Sequence, residues 1–281
     1  MAERYCDLHT HSTFSDGTLS PMELLAAAEA EQLGAVALCD HNTVAGLPEF
    51  LAAARGKQVE AVPGTEFSVE YRGVELHMLG LFIGPAHFDT VTALMEDLLR
   101  RKEERNIDLC RKLTEVGLAL DYDKIKAGTA GGVVNRAVIG AEMVRRGYCG
   151  SVREAFDRWL SVDRGYFQPP KRPDAFEMIR FIKSIGAVAV LAHPFLNLDE
   201  AGLREFLPQA VAAGLDGMEV RYPKYDEKTT CLAQRIADEF GLVASGGSDF
   251  HGASKPDILL GRGKGNLRVP ASVLEELRKH L

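Results

Sequence analysis

Tyr5-Cys6-Asp7-Leu8-His9-Thr10-His11, running on through Ser12-Thr13-Phe14-Ser15-Asp16-Gly17, is the stretch around which this chain is organised. The run from Tyr5 to His11 has the length and apolar content of a buried strand. Side chains alternate along a strand, so histidines two residues apart share one face. His9 and His11 therefore form a chelating pair, and Asp16, in a Ser-Asp-Gly turn, can fold a carboxylate back toward them.

Outward from this stretch the chain alternates short apolar runs with helical patterns. Ser20-Pro21 sets an N-cap followed by proline at the first helical position, and Leu24, Leu25, Ala28 and Leu33 supply an apolar stripe. Ala35 to Cys39 is a continuous apolar run ending in Asp40-His41-Asn42-Thr43, where Thr43 can cap a second helix. This is the logic of a β-α-β unit with a buried parallel strand. Val59 to Ser68 reads as a third strand with Glu66 near its end. Val69 to Ile83 reads as a hairpin about Arg72-Gly73, with His77 inside it.

Residues 85–172 break the rhythm. They are mostly helical in pattern, rich in Arg and Glu, and carry a Gly-rich stretch from Ala127 to Gly132. They are expected to form an inserted helical lobe or lid contributing substrate contacts, because such barrels elaborate their active sites in loops at the strand C-termini. The alternation resumes with strands at Ala187–Ala192, Gly217–Val220 and Leu242–Ser245. Helices are expected near Pro173–Ile185, Leu198–Ala213, Asp226–Phe240 and Ala271–His280. Residues 1–84 and 173–281 then make the catalytic barrel. With about seven strand–helix units, the chain is close in size to the ~250-residue barrel norm.

The 281 residues, 46% hydrophobic and 26% charged, have ordinary globular proportions. The five cysteines (Cys6, Cys39, Cys110, Cys149, Cys231) are scattered, with no Cys-x-x-Cys pair, and read as reduced thiols of a cytoplasmic protein. The N-terminal residues lack the apolar core of a signal peptide, and no apolar run approaches the ~20 residues of a spanning helix, so no membrane is implied. A net charge of −7 argues against long nucleic acid as partner, while a small phosphorylated substrate can still be met by local cations or metal ions. Nothing here specifies an oligomeric state.

His9, His11, His41, His193 and His251 all stand where an apolar strand ends, as do Asp16, Glu66 and Asp249. His77 or His193 taken alone would read as a hydrogen-bonded core histidine. Together these groups form a ligand set for Mn²⁺, Zn²⁺ or Fe²⁺ that is larger than one ion needs. No nucleophile elbow or phosphate-binding P-loop is present; Gly261-Arg262-Gly263-Lys264-Gly265 lacks the Walker spacing and reads as a flexible turn. Arg100, Arg101, Lys102 and Arg105 alternate with Glu103 and Glu104 and read as a solvated helix face.

The succession Asp7-Leu8-His9-Thr10-His11, Ser15-Asp16-Gly17, Asp40-His41-Asn42, Pro63-Gly64-Thr65-Glu66, His77, Ala192-His193-Pro194 and Gly247-Ser248-Asp249-Phe250-His251 resembles the polymerase and histidinol phosphatase (PHP) family of metal-dependent phosphoesterases, amidohydrolase-like enzymes. The resemblance implies an α/β fold, a distorted (β/α)₇ TIM-like barrel with an inserted helical lobe, and two or three divalent ions. His9, His11, Glu66 and Asp249 would hold one ion, Asp16, His41 and His251 a second, and His77, His193 and bridging Glu66 a third. Asp249, His193 and Glu66 would thus be catalytic, with Asp40 behind them orienting a ligand imidazole. Asp16, where some members have histidine, points to the branch acting on nucleotides and sugar phosphates.

Such a centre is expected to activate a bridging water as hydroxide and to hold a phosphate in line with it. Arg136 aligns with a phosphate-binding arginine of an Arg-x-His segment in related enzymes; Val138 stands at the histidine position. Lys171, Arg221 and Lys255 are further phosphate candidates. The resemblance and that replaced histidine favour a small phosphate ester or cyclic phosphodiester such as phosphoribosyl 1,2-cyclic phosphate. The alternatives are a 3′,5′-bisphosphate nucleotidase or 5′-3′ oligoribonuclease, and, from another class, a non-catalytic binding module. The retention of every ligand position argues for an enzyme.

Overall fold

The computed structural model describes residues 4–129, 134–168 and 172–281. The chain divides into two compact units, Met1–Ala93 with Arg172–Leu281, and Leu94–Lys171.

The first unit is built on one eight-stranded sheet. Its strands are β1 (Tyr5–Thr10), β2 (Ala35–Leu38), β3 (Glu60–Tyr71), β4 (Val74–Leu81), β5 (Val188–Ala192), β6 (Gly217–Arg221), β7 (Val243–Gly246) and the two-residue β8 (Val269–Pro270). Their order in the sheet is β7-β6-β5-β4-β3-β2-β1-β8. The pairs β1/β2, β2/β3, β5/β6 and β6/β7 are parallel, as the continuous apolar runs and intervening helices require. Just beyond β7, Phe250 bridges Thr10 in parallel, and the Asp249 N–H donates to the His9 carbonyl at 2.8 Å. This contact nearly closes the sheet into a barrel. Gly247 makes it possible, since a Cβ there would lie 2.4 Å from His9 Cβ.

The distortion of the barrel lies at β4, which runs antiparallel to both β3 and β5. Its cause is local. Arg72 (φ 51°) and Gly73 (φ 80°) both take left-handed backbone, the requirement of a tight two-residue hairpin. The chain therefore turns straight back instead of crossing over through a helix. The third strand is also longer than its apolar pattern suggests, continuing through Val69 into the hairpin.

Helices α1 (Pro21–Ala30), α2 (Leu47–Ala53), α7 (Ala175–Ser184), α8 (Glu200–Ala213), α9 (Glu227–Phe240) and α10 (Ser272–Arg278) belong to this unit. The α1 start is a complete capping box, with the Ser20 side chain accepting from the Glu23 N–H and the Glu23 side chain accepting from the Ser20 N–H. Thr43 does not cap α2. Its hydroxyl accepts from the Ala45 N–H, and the helix begins only at Leu47, where Pro48 fits an N-terminal position. The glycine run at 261–265 is an ordered set of left-handed turns rather than a slack connection; the Gly261 N–H is donated to buried Asp7.

The second unit is helical, comprising most of α3 (Phe88–Glu115), α4 (Tyr122–Ala127), α5 (Arg136–Arg145) and α6 (Val152–Ala155), which continues as a π-helix through Leu160. Leu109, Leu113, Ile125, Ile139, Met143 and Leu160 are the centre of its own apolar core. Of the Gly-rich stretch, residues 130–133 lie outside the described residues. Arg100 pairs with Asp97 and Glu104 and is well exposed, as a solvated helix face should be.

All five cysteines are free, and only Cys231 is exposed. Burial pushes the Cys6 and Cys110 thiols up to about 12 and raises Cys39 further. A thiol reagent at neutral pH is expected to titrate one fast cysteine in the native protein and all five after denaturation; two or more fast thiols would contradict this burial.

Candidate metal centre

Glu66 lies at the heart of the strand-end residues. It sits in β3 beside the bridge to His41, and its carboxylate is fully buried. Its Oε1 accepts from His77 Nδ1 at 2.7 Å and His193 Nε2 at 3.0 Å. Its Oε2 faces His9 Nε2 at 3.2 Å, His11 Nε2 at 3.4 Å and His41 Nδ1 at 3.0 Å. Five imidazoles, from β1 and its end, β4, the end of β5 and the loop after β2, thus surround one carboxylate.

Asp249 and Asp16 extend the cluster on either side. Asp249 Oδ1 is 3.2 Å from His11 Nε2 and 3.8 Å from His9 Nε2. Asp16 reaches His251 Nε2 at 3.1 Å and both His41 and His11 at 3.8 Å. Four sets of potential ligand atoms converge: His11, Asp16, His41 and His251; His9, Glu66 and His193; His9, His11 and Asp249; and His41, Glu66 and His77. His77 and His193, expected to share Glu66, both meet its Oε1, and Glu66 Oε2 faces His9 and His11, the pair expected with it and Asp249.

The donor set fits divalent cations. His9 Nε2, both nitrogens of His11, Glu66 Oε2, His193 Nδ1 and His251 Nε2 are buried with no hydrogen-bond partner. His9 Nδ1 lies 3.1 Å from Glu219 Oε1, and a carboxylate can only accept, so that nitrogen carries the proton. The Nε2 lone pair then points at Glu66 Oε2, acceptor against acceptor. Only a further ring proton or a cation between them relieves that arrangement.

The electrostatics carry the same message. Burial raises the Glu66 carboxyl, but the surrounding His9, His193, His41 and His77 outweigh it and hold the group well below the usual carboxylate range. For His9, burial works against protonation, yet Glu66 and Glu219 overcome it and push the imidazole well up. Burial pushes His11 down to about 4, leaving a neutral ring able to ligate. The centre wants positive charge between these groups.

Several residues act by holding the ligands. Asp7, fully buried, accepts from the Ser248 N–H and hydroxyl, the Gly261 N–H and, at 3.4 Å, the His9 N–H, tying β1 to the loop that carries Asp249. Glu219 uses its second oxygen to accept from the His193 N–H at 2.7 Å. Tyr222 donates to Asp249 Oδ2 at 2.9 Å. His193 (φ 28°) and Asp249 (φ 53°) take left-handed backbone that is costly for non-glycine residues, and these bonds restrain it.

Asp40 does not orient an imidazole. It accepts from the Ser12 N–H and hydroxyl and from the Ser15 hydroxyl, fixing the turn between His11 and Asp16. The carboxylate that orients an imidazole is Glu219, which the sequence pattern hides inside the apolar run Gly217–Val220. Glu219→Gln is expected to weaken divalent-ion affinity about 10- to 100-fold, because the amide can accept from only one of its two N–H partners. Titration of the purified protein with Mn²⁺ checks this, and unchanged affinity would reduce Glu219 to a space-filler.

Of the expected substrate cations, Lys255 comes to the centre, with Nζ 2.9 Å from Asp249 Oδ2. Arg221 does not. Its guanidinium donates to the Ala244 carbonyl and lines a cleft with Gln234, Val243 and Glu276. Arg136, in the helical unit, donates to the Leu160 carbonyl and stacks on Phe167 at 4.3 Å. Lys171 lies outside the described residues.

Comparison with known proteins agrees with this geometry. The PHP domain family profile matches residues 7–162. The chain is 35% identical over 252 residues to a 5′-3′ exoribonuclease of Haemophilus influenzae, covering 89% of this chain and 91% of the relative. It is 30% identical over 253 residues to a phosphoribosyl 1,2-cyclic phosphate 1,2-diphosphodiesterase of Eggerthella lenta, covering 88% and 94%. A solved structure from Bifidobacterium adolescentis, assigned as a metal-dependent phosphoesterase, superposes with a TM-score of 0.69 and 26% identity over 99% of this chain and 96% of that one.

Proposed function

The chain belongs to the PHP domain family and is a metal-dependent phosphoesterase, and on that premise we propose that it hydrolyses phosphoesters of small nucleotides, at a 5′-phosphorylated RNA end or in a nucleoside bisphosphate. The observation that carries the reading is the set of buried, unpartnered imidazole and carboxylate atoms converging around Glu66, in a chain 35% identical to an exoribonuclease. His9, His11, His41, His77, His193, His251, Asp16, Glu66 and Asp249 would hold two or three ions. Divalent ions bound there would acidify water and neutralise phosphate charge.

The chain's own groups do the rest. Glu219 keeps the His9 proton on Nδ1, and so keeps Nε2 directed inward. Tyr222 and Lys255 both occupy Asp249 Oδ2, which leaves Oδ1 turned toward His9 and His11. Lys255 thereby places a cation at the edge of the centre, where it can meet a phosphate oxygen. Arg136, aligned with a phosphate-binding arginine of related enzymes, is proposed as a phosphate contact.

A cyclic sugar phosphate stands as the second reading, favoured by Val138 at the family's histidine position and by the Eggerthella lenta relative at 30% identity. One panel separates them. The Mn²⁺-loaded protein is expected to cleave adenosine 3′,5′-bisphosphate and short 5′-phosphorylated RNA with kcat/KM at least about tenfold above that for phosphoribosyl 1,2-cyclic phosphate. The reverse order would assign the cyclic substrate, and hydrolysis of none of them would reject both.

A further inference from the structure

A cleft of about 540 Å³ opens at the C-terminal ends of β5 and β6, between the first turns of α8 and α9. That is a size suited to one small organic molecule, on the face of the barrel that carries the metal centre. Phe195, Leu196, Leu198, Tyr225 and Leu232 give it apolar walls, while Asn197, Thr229, Lys224 and the acids Asp199 and Glu200 supply polar atoms.

A single layer of packed aromatic rings separates the cleft from the centre. His193 lies 5.2 Å from Tyr222, Tyr222 lies 5.3 Å from Tyr225, and Tyr225 meets Phe195 edge-on at 5.9 Å. The Tyr225 hydroxyl accepts from the Phe195 N–H at 2.9 Å, which fixes that loop only two residues beyond His193. Leu196 is 44% exposed there, an apolar side chain with no cover on the catalytic face.

We propose that this cleft is the subsite for the nucleobase of the substrate, the flat ring packing against Phe195 and Leu196 and the Asn197 amide reading its heteroatoms. The inference rests on the nucleotide reading above. A cyclic sugar phosphate carries no planar apolar group and would leave these walls unused; a purine or pyrimidine uses both the apolar faces and the polar rim. The subsite would make catalytic efficiency depend on the base, although no bond to the base is broken.

The test compares adenosine 3′,5′-bisphosphate with ribose 3,5-bisphosphate, the same phosphates without the base. Wild-type protein is expected to prefer the nucleotide by about 10- to 100-fold in kcat/KM, chiefly through KM. Phe195→Ala, and independently Leu232→Trp, which fills the cleft without removing a wall, should each bring that ratio down toward one. A ratio untouched by both variants overturns the subsite, as does a wild-type ratio near one with both compounds hydrolysed. The latter result leaves the phosphoesterase activity standing. Failure of the wild type to hydrolyse either compound overturns the nucleotide reading and the subsite with it.

Discussion

Glu66→Gln is expected to lower kcat/KM by about 10³-fold or more, roughly 4 kcal/mol of transition-state stabilisation, and to empty most of the metal from the purified protein. Glu66 is buried between five imidazoles, with one oxygen accepting from His77 and His193 and the other facing His9, His11 and His41. Glutamine keeps the shape but not the charge. Its amide nitrogen cannot ligate a cation as a carboxylate oxygen does, and it replaces one acceptor by a donor in front of the rings that now donate to it. The thermal stabilisation that Mn²⁺ gives the wild type, which follows from binding only the folded state, should shrink in the variant by several degrees. Elemental analysis, a melting curve with and without Mn²⁺, and a phosphoesterase assay together decide it. Wild-type metal content with wild-type turnover would remove Glu66 from the centre.

The reasons why some of this was legible in the sequence and some was not are physical. His9 and His11 could be placed together because strand parity is rigid, and Glu66 and Asp249 because parallel strands bring their C-terminal ends to one edge. The same parity explains the misreading of Asp40. Consecutive residues point to opposite faces, so the carboxylate next to His41 in sequence turns away from it and serves Ser12 and Ser15. Arg221 shares parity with Glu219, yet the β6–β7 register shifts between those two residues and the guanidinium leaves the inward face. No residue pattern announces that irregularity. The hairpin at Arg72-Gly73 was readable, but that β4 would enter the barrel antiparallel between β3 and β5 depends on long-range pairing. Glu219 and Asp7 were passed over because a lone acid in an apolar run shows its value only once its partners, here His9, His193, Ser248 and Gly261, are assembled around it.

Asp7→Ala is expected to act on the fold rather than on the ions, and the contrast with Glu66 separates scaffold from centre. Asp7 has no exposed surface and accepts from Ser248 twice and from Gly261, holding the exit of β7 and the glycine turns at 261–265 against β1. Alanine leaves two backbone N–H groups without acceptors inside the protein, and burial denies them water as a substitute. Each buried donor left unsatisfied costs about 1–3 kcal/mol, so the loss amounts to about 2–6 kcal/mol, or about 4–24 °C in Tm for a chain of this size. The decisive condition is chelator. With EDTA present, Asp7→Ala should still melt well below wild type, because the lost bonds do not involve metal, whereas Glu66→Gln should lose mainly the increment that metal confers. An Asp7→Ala protein that melts like wild type in chelator would show that the Asp249 loop is held to β1 by the Thr10–Phe250 bridge and its neighbouring backbone bonds alone.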